Sequence, residues 1–152
     1  MKRIALWFLA AIITLAVLFV AVLIYQWTVY QPEPPTVANC QSIETSVTAD
    51  SAAQLYVYQC KRGANPSWEG YEVWAQKLLT QEWQRLATSP KAAGCVGIRR
   101  EARRVVILHE ASRGDLSVAA SSFVYELAEG GATTLSVATE RVNGCRHNSS
   151  KD

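Results

Sequence analysis

One uninterrupted apolar segment near the N-terminus constrains this chain more than any other feature. It runs for 22 residues from Ile4 to Tyr25 and contains a single polar residue before the closing tyrosine. A helix of that length spans roughly 33 Å, enough for the ~30 Å hydrocarbon core of a bilayer. Lys2 and Arg3 precede the segment and the next basic residue is Lys61, so the positive-inside rule predicts a cytoplasmic N-terminus.

This interpretation divides the chain into five regions. They are a cytoplasmic tail (1–3), a transmembrane signal-anchor helix (4–27), a Pro-rich linker (28–39), a disulfide-bonded extracytoplasmic domain (40–146) and a polar tail (147–152). The expected location is the inner membrane, with a single span and the domain in the periplasm. A cleaved signal peptide is the alternative, but such peptides have a shorter apolar region and end in a small-x-small site that this segment lacks.

Charge is balanced in the rest of the chain. The formal net charge is +2, and Lys2 and Arg3 account for it, which leaves 13 basic and 13 acidic residues after position 3. Nucleic-acid binding depends on neutralising many phosphates, so we expect no nucleic-acid partner. The expected partners are the membrane, through residues 4–27, and a protein of the cell envelope.

Four cysteines, Cys40, Cys60, Cys95 and Cys145, lie in the predicted outer domain. No pair has the C-x-x-C spacing of thioredoxin-like or ribbon-type zinc sites, and an even number in an exported domain is typical of disulfides. Three pairings are possible. A hairpin turn centred on Asp50 brings Cys40 opposite Cys60, and elimination then pairs Cys95 with Cys145. We expect no metal and no cofactor.

Alternating patterns predict strands on both sides of a central segment. Residues 41–60 form a predicted hairpin, and residues 104–109 are apolar on both faces, as in a central strand. Residues 116–127 and 133–142 flank a glycine loop and form a second predicted hairpin. Its three-residue loop would pair Tyr125 with Val137 and Leu127 with Leu135.

The central segment, from Pro66 to Thr88, predicts an amphipathic helix. Asn65 fits an N-cap and Pro66 a first helical position. Apolar residues recur at helical spacing: Trp68, Tyr71, Trp74, Ala75, Leu78, Leu79, Trp83 and Leu86. The order β-β-α-β-β-β then predicts an α+β fold, a small antiparallel sheet of about five strands with one helix packed on it.

The densest charge cluster is a set of four arginines around Glu101: Arg99, Arg100, Arg103 and Arg104. Guanidinium groups bind carboxylates and phosphates with paired hydrogen bonds. The cluster is therefore a candidate site for an acidic partner, a lipid headgroup or a cell-wall carboxylate. The alternative is a solvated hairpin tip, whose charges protect strand edges from aggregation.

Aromatic residues and one carboxylate mark the predicted helix. Trp68, Trp74 and Trp83 form either core against the sheet or an exposed platform. We expect core, with Trp83 the most exposed and available for binding. Glu82 lies near the middle of the apolar arc, where a carboxylate needs a partner, and we expect one arginine of the cluster to pair with it.

The sequence shows no catalytic constellation. His109 and His147 are isolated, and no Gly-x-Ser-x-Gly, Ser-x-x-Lys or His-Glu-x-x-His motif occurs. We therefore expect a non-enzymatic protein. The favoured function is a membrane-anchored periplasmic interaction protein, an accessory subunit of an envelope or secretion complex. The alternative is a periplasmic inhibitor or immunity-type protein that binds a toxin or hydrolase.

Overall fold

The chain separates into two units, residues 1–33 and 34–152. The structure, a computed structural model, describes residues 2–29, 32–65 and 67–145. The predicted polar tail at 147–152, which includes His147, therefore lies outside the described residues, as does Pro66. The first unit is helical, and the second is built of strands.

The helix of the first unit, α1, runs from Lys2 to Val29. Its side chains are described at Trp7 and over residues 10–26, and all of these are exposed. Among the residues so described, no helix is long and apolar enough to cross a membrane. The predicted transmembrane helix over residues 4–27 is contradicted by this finding.

The described part of the second unit contains nine strands in two sheets. The strands are β1 (Cys40–Val47), β2 (Ala53–Arg62), β3 (Trp68–Lys77), β4 (Trp83–Pro90), β5 (Val96–Glu101), β6 (Arg104–His109), β7 (Ser117–Val118), β8 (Ser122–Glu126) and β9 (Ala132–Arg141), with a 3-10 turn at Lys91–Ala93. Sheet 1 has the order β1-β2-β3-β4-β7 and sheet 2 the order β5-β6-β9-β8. All neighbours are antiparallel except β6 and β9, which are parallel. The α+β prediction is therefore wrong.

The predicted helix over residues 66–88 is instead the β3–β4 hairpin. β3 is the middle strand of sheet 1, and both of its faces are covered. Val73 and Ala75 lie in the hydrophobic core, whereas Trp74 and Gln76 are buried on the opposite face. A strand buried on both faces loses the alternation of apolar and polar residues, so its apolar residues fell at spacings that resembled a helix.

The β1–β2 hairpin and both disulfides are confirmed. Cys40 lies opposite Cys60 in the register of the two strands, and these cysteines form the first bridge. Cys95 and Cys145 form the second bridge. An irregularity in β1 between Ser42 and Glu44 shifts the register beyond the first bridge by one residue.

The predicted strand at residues 104–109 is confirmed as β6, whereas the pairing of the last hairpin is wrong. Phe123 pairs with Leu135, and Tyr125 pairs with Thr133 rather than with Val137. The shift is an even number of residues, so the same side chains still face inward. Phe123 and Leu135 lie in the core with Ile107 and side chains of sheet 1.

Candidate binding surfaces: an aromatic face and an arginine tip

The outer face of sheet 1 carries a cluster of rings, which we name the aromatic face: Tyr56, Tyr58, Trp74 and Trp83. Tyr56 and Tyr58 alternate with core residues along β2, so the pleat turns them away from the core. The Tyr56 ring stacks on Tyr58, with centroids 5.4 Å apart, and lies 5.2 Å from the ring of Trp83. Trp83 meets Trp74 edge to face at 6.3 Å.

Trp74 forms the base of the aromatic face. It is only 1% exposed, whereas Tyr56, Tyr58 and Trp83 are half-buried. The guanidinium of Arg85 lies 6.0 Å from the Trp74 ring centroid, within the range of a cation–π contact. The pKa of Tyr56 and of Tyr58 is raised by burial, so both hydroxyls stay protonated and can donate hydrogen bonds.

Amide side chains border the rings. The Tyr56 hydroxyl donates to Gln76 Oε1 at 3.2 Å, and Gln76 Nε2 donates to Gln81 Oε1 at 2.9 Å. Gln81 lies in the turn between β3 and β4 with a positive φ of 60°. The surface therefore offers aromatic area and polar groups side by side, a combination common at protein interfaces.

A buried ion pair supports this face from one end. Glu72 is 1% exposed and accepts two hydrogen bonds from Arg62, at 2.9 and 2.8 Å. It also accepts one from Trp74 Nε1 at 2.7 Å. The sulfurs of the first bridge lie within 4.8 Å of its carboxylate. A thiolate is the metal-ligating form of cysteine, and both sulfurs are held in the disulfide. Glu72 therefore acts here as the partner of Arg62 in a structural ion pair.

The prediction for Glu82 is wrong. Glu82 lies in the β3–β4 turn, its side chain is 63% exposed, and it pairs with Lys77 at 2.7 Å. The hydrogen bond from Lys77 lowers the pKa of Glu82. The buried carboxylate is Glu72, which the sequence analysis missed because the helix interpretation gave it no special position. In a strand, its neighbours Tyr71 and Val73 would have placed it on the face opposite the core.

The four arginines lie at the tip of the β5–β6 hairpin and are exposed, but they differ in their contacts. Arg99 donates to Glu140 of β9 at 2.6 Å and lies 3.5 Å from Glu101. The bond to Glu140 raises the pKa of Arg99. Arg104 lies 3.9 Å from Glu101. Two of the four charges are therefore balanced on the protein's own surface.

Arg100 reaches across to the other sheet. Its Nη1 donates to the backbone carbonyl of Val47 at 2.7 Å, at the edge of β1. Nearby, the Glu44 carboxylate, only 8% exposed, accepts a hydrogen bond from the backbone N–H of Ile98 in β5 at 3.2 Å. Side chains thus form hydrogen bonds with backbone groups of β1 and of β5, which are edge strands of the two sheets. These bonds limit the pairing of the two edge strands with strands of other chains.

Arg100 and Arg103 also line a cavity of about 140 Å3 beneath the tip. Its wall includes Asp50 from the β1–β2 turn and Tyr125 from β8. The Tyr125 hydroxyl donates to Asp50 Oδ2 at 2.7 Å. Burial acts to raise the pKa of Asp50, but hydrogen bonds from Thr48, Tyr125 and the backbone outweigh it and lower the pKa. Asp50 is therefore a stable anion.

The predicted site residues do not form one site. Trp83 contacts other rings of the aromatic face, and the contacts found for the arginines within the described ranges do not involve it. Trp68 is half-buried on the same strand as Trp74. His109 ends β6, and its Nδ1 is buried with no hydrogen-bond partner among the residues described.

Comparison with known proteins gives no relative. No protein-family model, no curated protein and no solved structure matches this chain. The class that the structure defines is a disulfide-bonded domain of two packed β-sheets, with an aromatic face on one sheet and an arginine-lined cavity at the edge.

Proposed function

We propose that this chain is a non-catalytic interaction protein of the periplasm, an accessory subunit of an envelope assembly, and that the aromatic face binds its partner protein. The observation that carries the proposal is the exposed part of Tyr56, Tyr58 and Trp83 on the outer side of sheet 1. Tyrosine, tryptophan and arginine are the residues that contribute most to binding at protein interfaces.

The arrangement of the rings suits a binding surface. The buried Trp74 and the contacts at 5.2 and 5.4 Å hold the outer rings in place. Side chains that are ordered before binding lose less conformational entropy when a partner arrives. Arg85 adds a charge next to the rings, and its buried Nε has no hydrogen-bond partner within the described part of the chain.

The two bridges support the proposed location. Disulfides persist in oxidising compartments and are rare in the cytosol. All four cysteines are paired and no free thiol is found. A domain of this size gains stability from such bridges, and this gain is kept in an oxidising compartment such as the periplasm.

The test is affinity purification of the full chain from its native cells, with the bound proteins quantified by mass spectrometry. Tyr58→Ser and Trp83→Ser remove exposed rings. Val124→Ser is the matched control, because Val124 is 49% exposed on the outer face of sheet 2. Loss of a contact at the centre of an interface costs about 2 kcal/mol or more, which is more than tenfold in affinity.

We expect both ring variants to lose the same bound proteins at least about tenfold, while the control retains them. Circular dichroism and intact bridges establish that each variant is folded. A set of several proteins that copurify together supports an accessory subunit, whereas one soluble partner supports an inhibitor instead. Equal recovery from all variants contradicts the proposed role of the aromatic face.

A further inference from the structure

The cavity beneath the arginine tip is built by three separate parts of the fold. The β1–β2 turn contributes Thr48 and Asp50, the β5–β6 tip contributes Arg100 and Arg103, and the packed strands β8 and β9 contribute the floor, which includes Tyr125. Tyr125 is 2% exposed, so the floor is part of the rigid core. The rim consists of exposed charged side chains.

Both signs of charge face this cavity, and each has unused hydrogen-bonding capacity. Asp50 Oδ1 accepts bonds from Thr48 Oγ1 at 2.6 Å and from the Ala52 N–H at 3.1 Å. Asp50 Oδ2 accepts the Tyr125 hydroxyl and keeps a further lone pair, since a carboxylate oxygen accepts two bonds. Arg100 uses Nη1 for Val47, which leaves its other donors available.

Arg103 differs from the other arginines of the tip. Arg99 and Arg104 have carboxylate partners, and Arg100 has a carbonyl partner. No ion pair or side-chain hydrogen bond is found for the Arg103 guanidinium in the ranges that the structure describes. Its backbone carbonyl accepts a bond from the Ser136 N–H at 3.1 Å, which fixes the position of the residue at the cavity mouth.

We propose that this cavity binds a small zwitterion with one carboxylate and one ammonium group, the chemistry of a free α-amino acid. Arg103 and Arg100 bind the carboxylate through paired N–H donors, and Asp50 Oδ2 accepts the ammonium. A bare anion such as phosphate meets repulsion from Asp50, and a bare cation meets repulsion from the arginines. This site is separate from the aromatic face and does not depend on it.

The volume limits the size of the ligand. About 140 Å3 corresponds to between four and five water molecules at ~30 Å3 each. A small amino acid such as alanine or serine is comparable in size to this space. The buried floor, which includes Tyr125, therefore favours a small side chain.

The test is isothermal titration calorimetry on the full chain at neutral pH and low salt, in a neutral detergent because the side chains described in α1 are exposed and apolar. The probes are L-alanine, D-alanine, acetate, methylammonium and inorganic phosphate. We expect at least one alanine enantiomer to bind with a dissociation constant of about 1 mM or tighter. Acetate, methylammonium and phosphate should bind at least about tenfold more weakly.

Arg103→Ala tests the site and Arg104→Ala is its matched control. Both remove one exposed arginine from the same hairpin, but only Arg103 lines the cavity. We expect Arg103→Ala to weaken alanine binding at least about tenfold and Arg104→Ala less than about twofold. Arg103→Gln replaces it as the test variant should Arg103→Ala fail to fold.

Three outcomes overturn the proposal. Alanine that binds no better than acetate or phosphate indicates a simple anion site. Equal weakening by Arg103→Ala and Arg104→Ala indicates a diffuse positive surface and no defined cavity site. No heat of binding for either enantiomer up to about 50 mM, far above the dissociation constant expected, indicates that the cavity does not take this class of ligand.

Discussion

The buried pair of Arg62 and Glu72 gives the most direct test of the structure. Arg62→Met keeps most of the side-chain volume but takes two hydrogen bonds from the 1% exposed Glu72 carboxylate. Among the residues that the structure describes, Trp74 Nε1 is then the one donor found for it. Removal of one partner from a buried ion pair typically costs 3–5 kcal/mol, because the remaining charge is not compensated. Arg62 is 22% exposed, so some water can reach the site. We therefore expect Arg62→Met to lower the free energy of unfolding by about 3 kcal/mol, the lower end of that range.

The reverse change should cost less. Glu72→Met removes one carboxylate from the surroundings of Arg62, and the guanidinium can turn toward solvent because it lies nearer the surface. The double variant Arg62→Met/Glu72→Met removes both charges and should recover much of the loss, since apolar residues often replace a buried pair without penalty. The order of stabilities is therefore wild type, then the double variant or Glu72→Met, and last Arg62→Met.

Urea denaturation monitored by tryptophan fluorescence measures these free energies of unfolding, because Trp74 lies next to the pair. Lys77→Met is the control. It breaks the exposed pair with Glu82, and exposed pairs often contribute nothing measurable. If Arg62→Met were no more destabilising than Lys77→Met, the inferred burial of Glu72 would be wrong.

Three further predictions test other parts of the fold. The first bridge closes a loop of 20 residues and the second a loop of 50. By the loop-entropy relation, replacing the first pair of cysteines with serines should lower the free energy of unfolding by about 3 kcal/mol, and replacing the second pair by about 4 kcal/mol. The opposite order in urea denaturation would contradict this ranking. Gly70→Ala should destabilise the domain by about 2 kcal/mol or more in the same assay, because the new Cβ meets the backbone carbonyl of Ser89. Gly97→Ala is the control. The atoms nearest its new Cβ lie at 3.4 Å, so it should cost less than about 1 kcal/mol. Burial and the hydrogen bond to Asp50 raise the pKa of Tyr125 from 10.0 to about 12. The folded state therefore holds this proton more tightly than the unfolded state, and the stability that the hydroxyl contributes is lost as the pH rises from 10 to 12. Tyr125→Phe should reduce the slope of the unfolding free energy over that range, and an unchanged slope argues against the bond.

Local patterns were predictable from the sequence. The β1–β2 hairpin has alternating residues on both strands and a short turn, and its register alone places Cys40 opposite Cys60. β6 was predictable because its apolar residues form a short run between charged ends. In both cases the signal lies within neighbouring residues, and contacts from distant parts of the chain were not needed.

Long-range contacts determine what the sequence did not show. β3 has an apolar pattern on both faces because the second face is covered by rings from β2 and β4, and no local rule reveals that cover. The parallel pairing of β6 with β9 joins strands separated by β7 and β8. The same reason applies to the candidate site, since Trp83 was predicted as an exposed ring but its partners Tyr56 and Tyr58 come from another strand.

The arginine tip shows why a charge cluster in a sequence cannot be assigned one role. Four neighbouring residues have one chemistry, but the hairpin turns successive side chains to different surroundings. Arg99 and Arg104 meet carboxylates on the surface, and Arg100 occupies a carbonyl at the edge of β1. Arg103 is left facing the cavity that Asp50 also lines. Repulsion among four guanidiniums is therefore relieved unevenly, and the least compensated charge lies where a ligand can approach it.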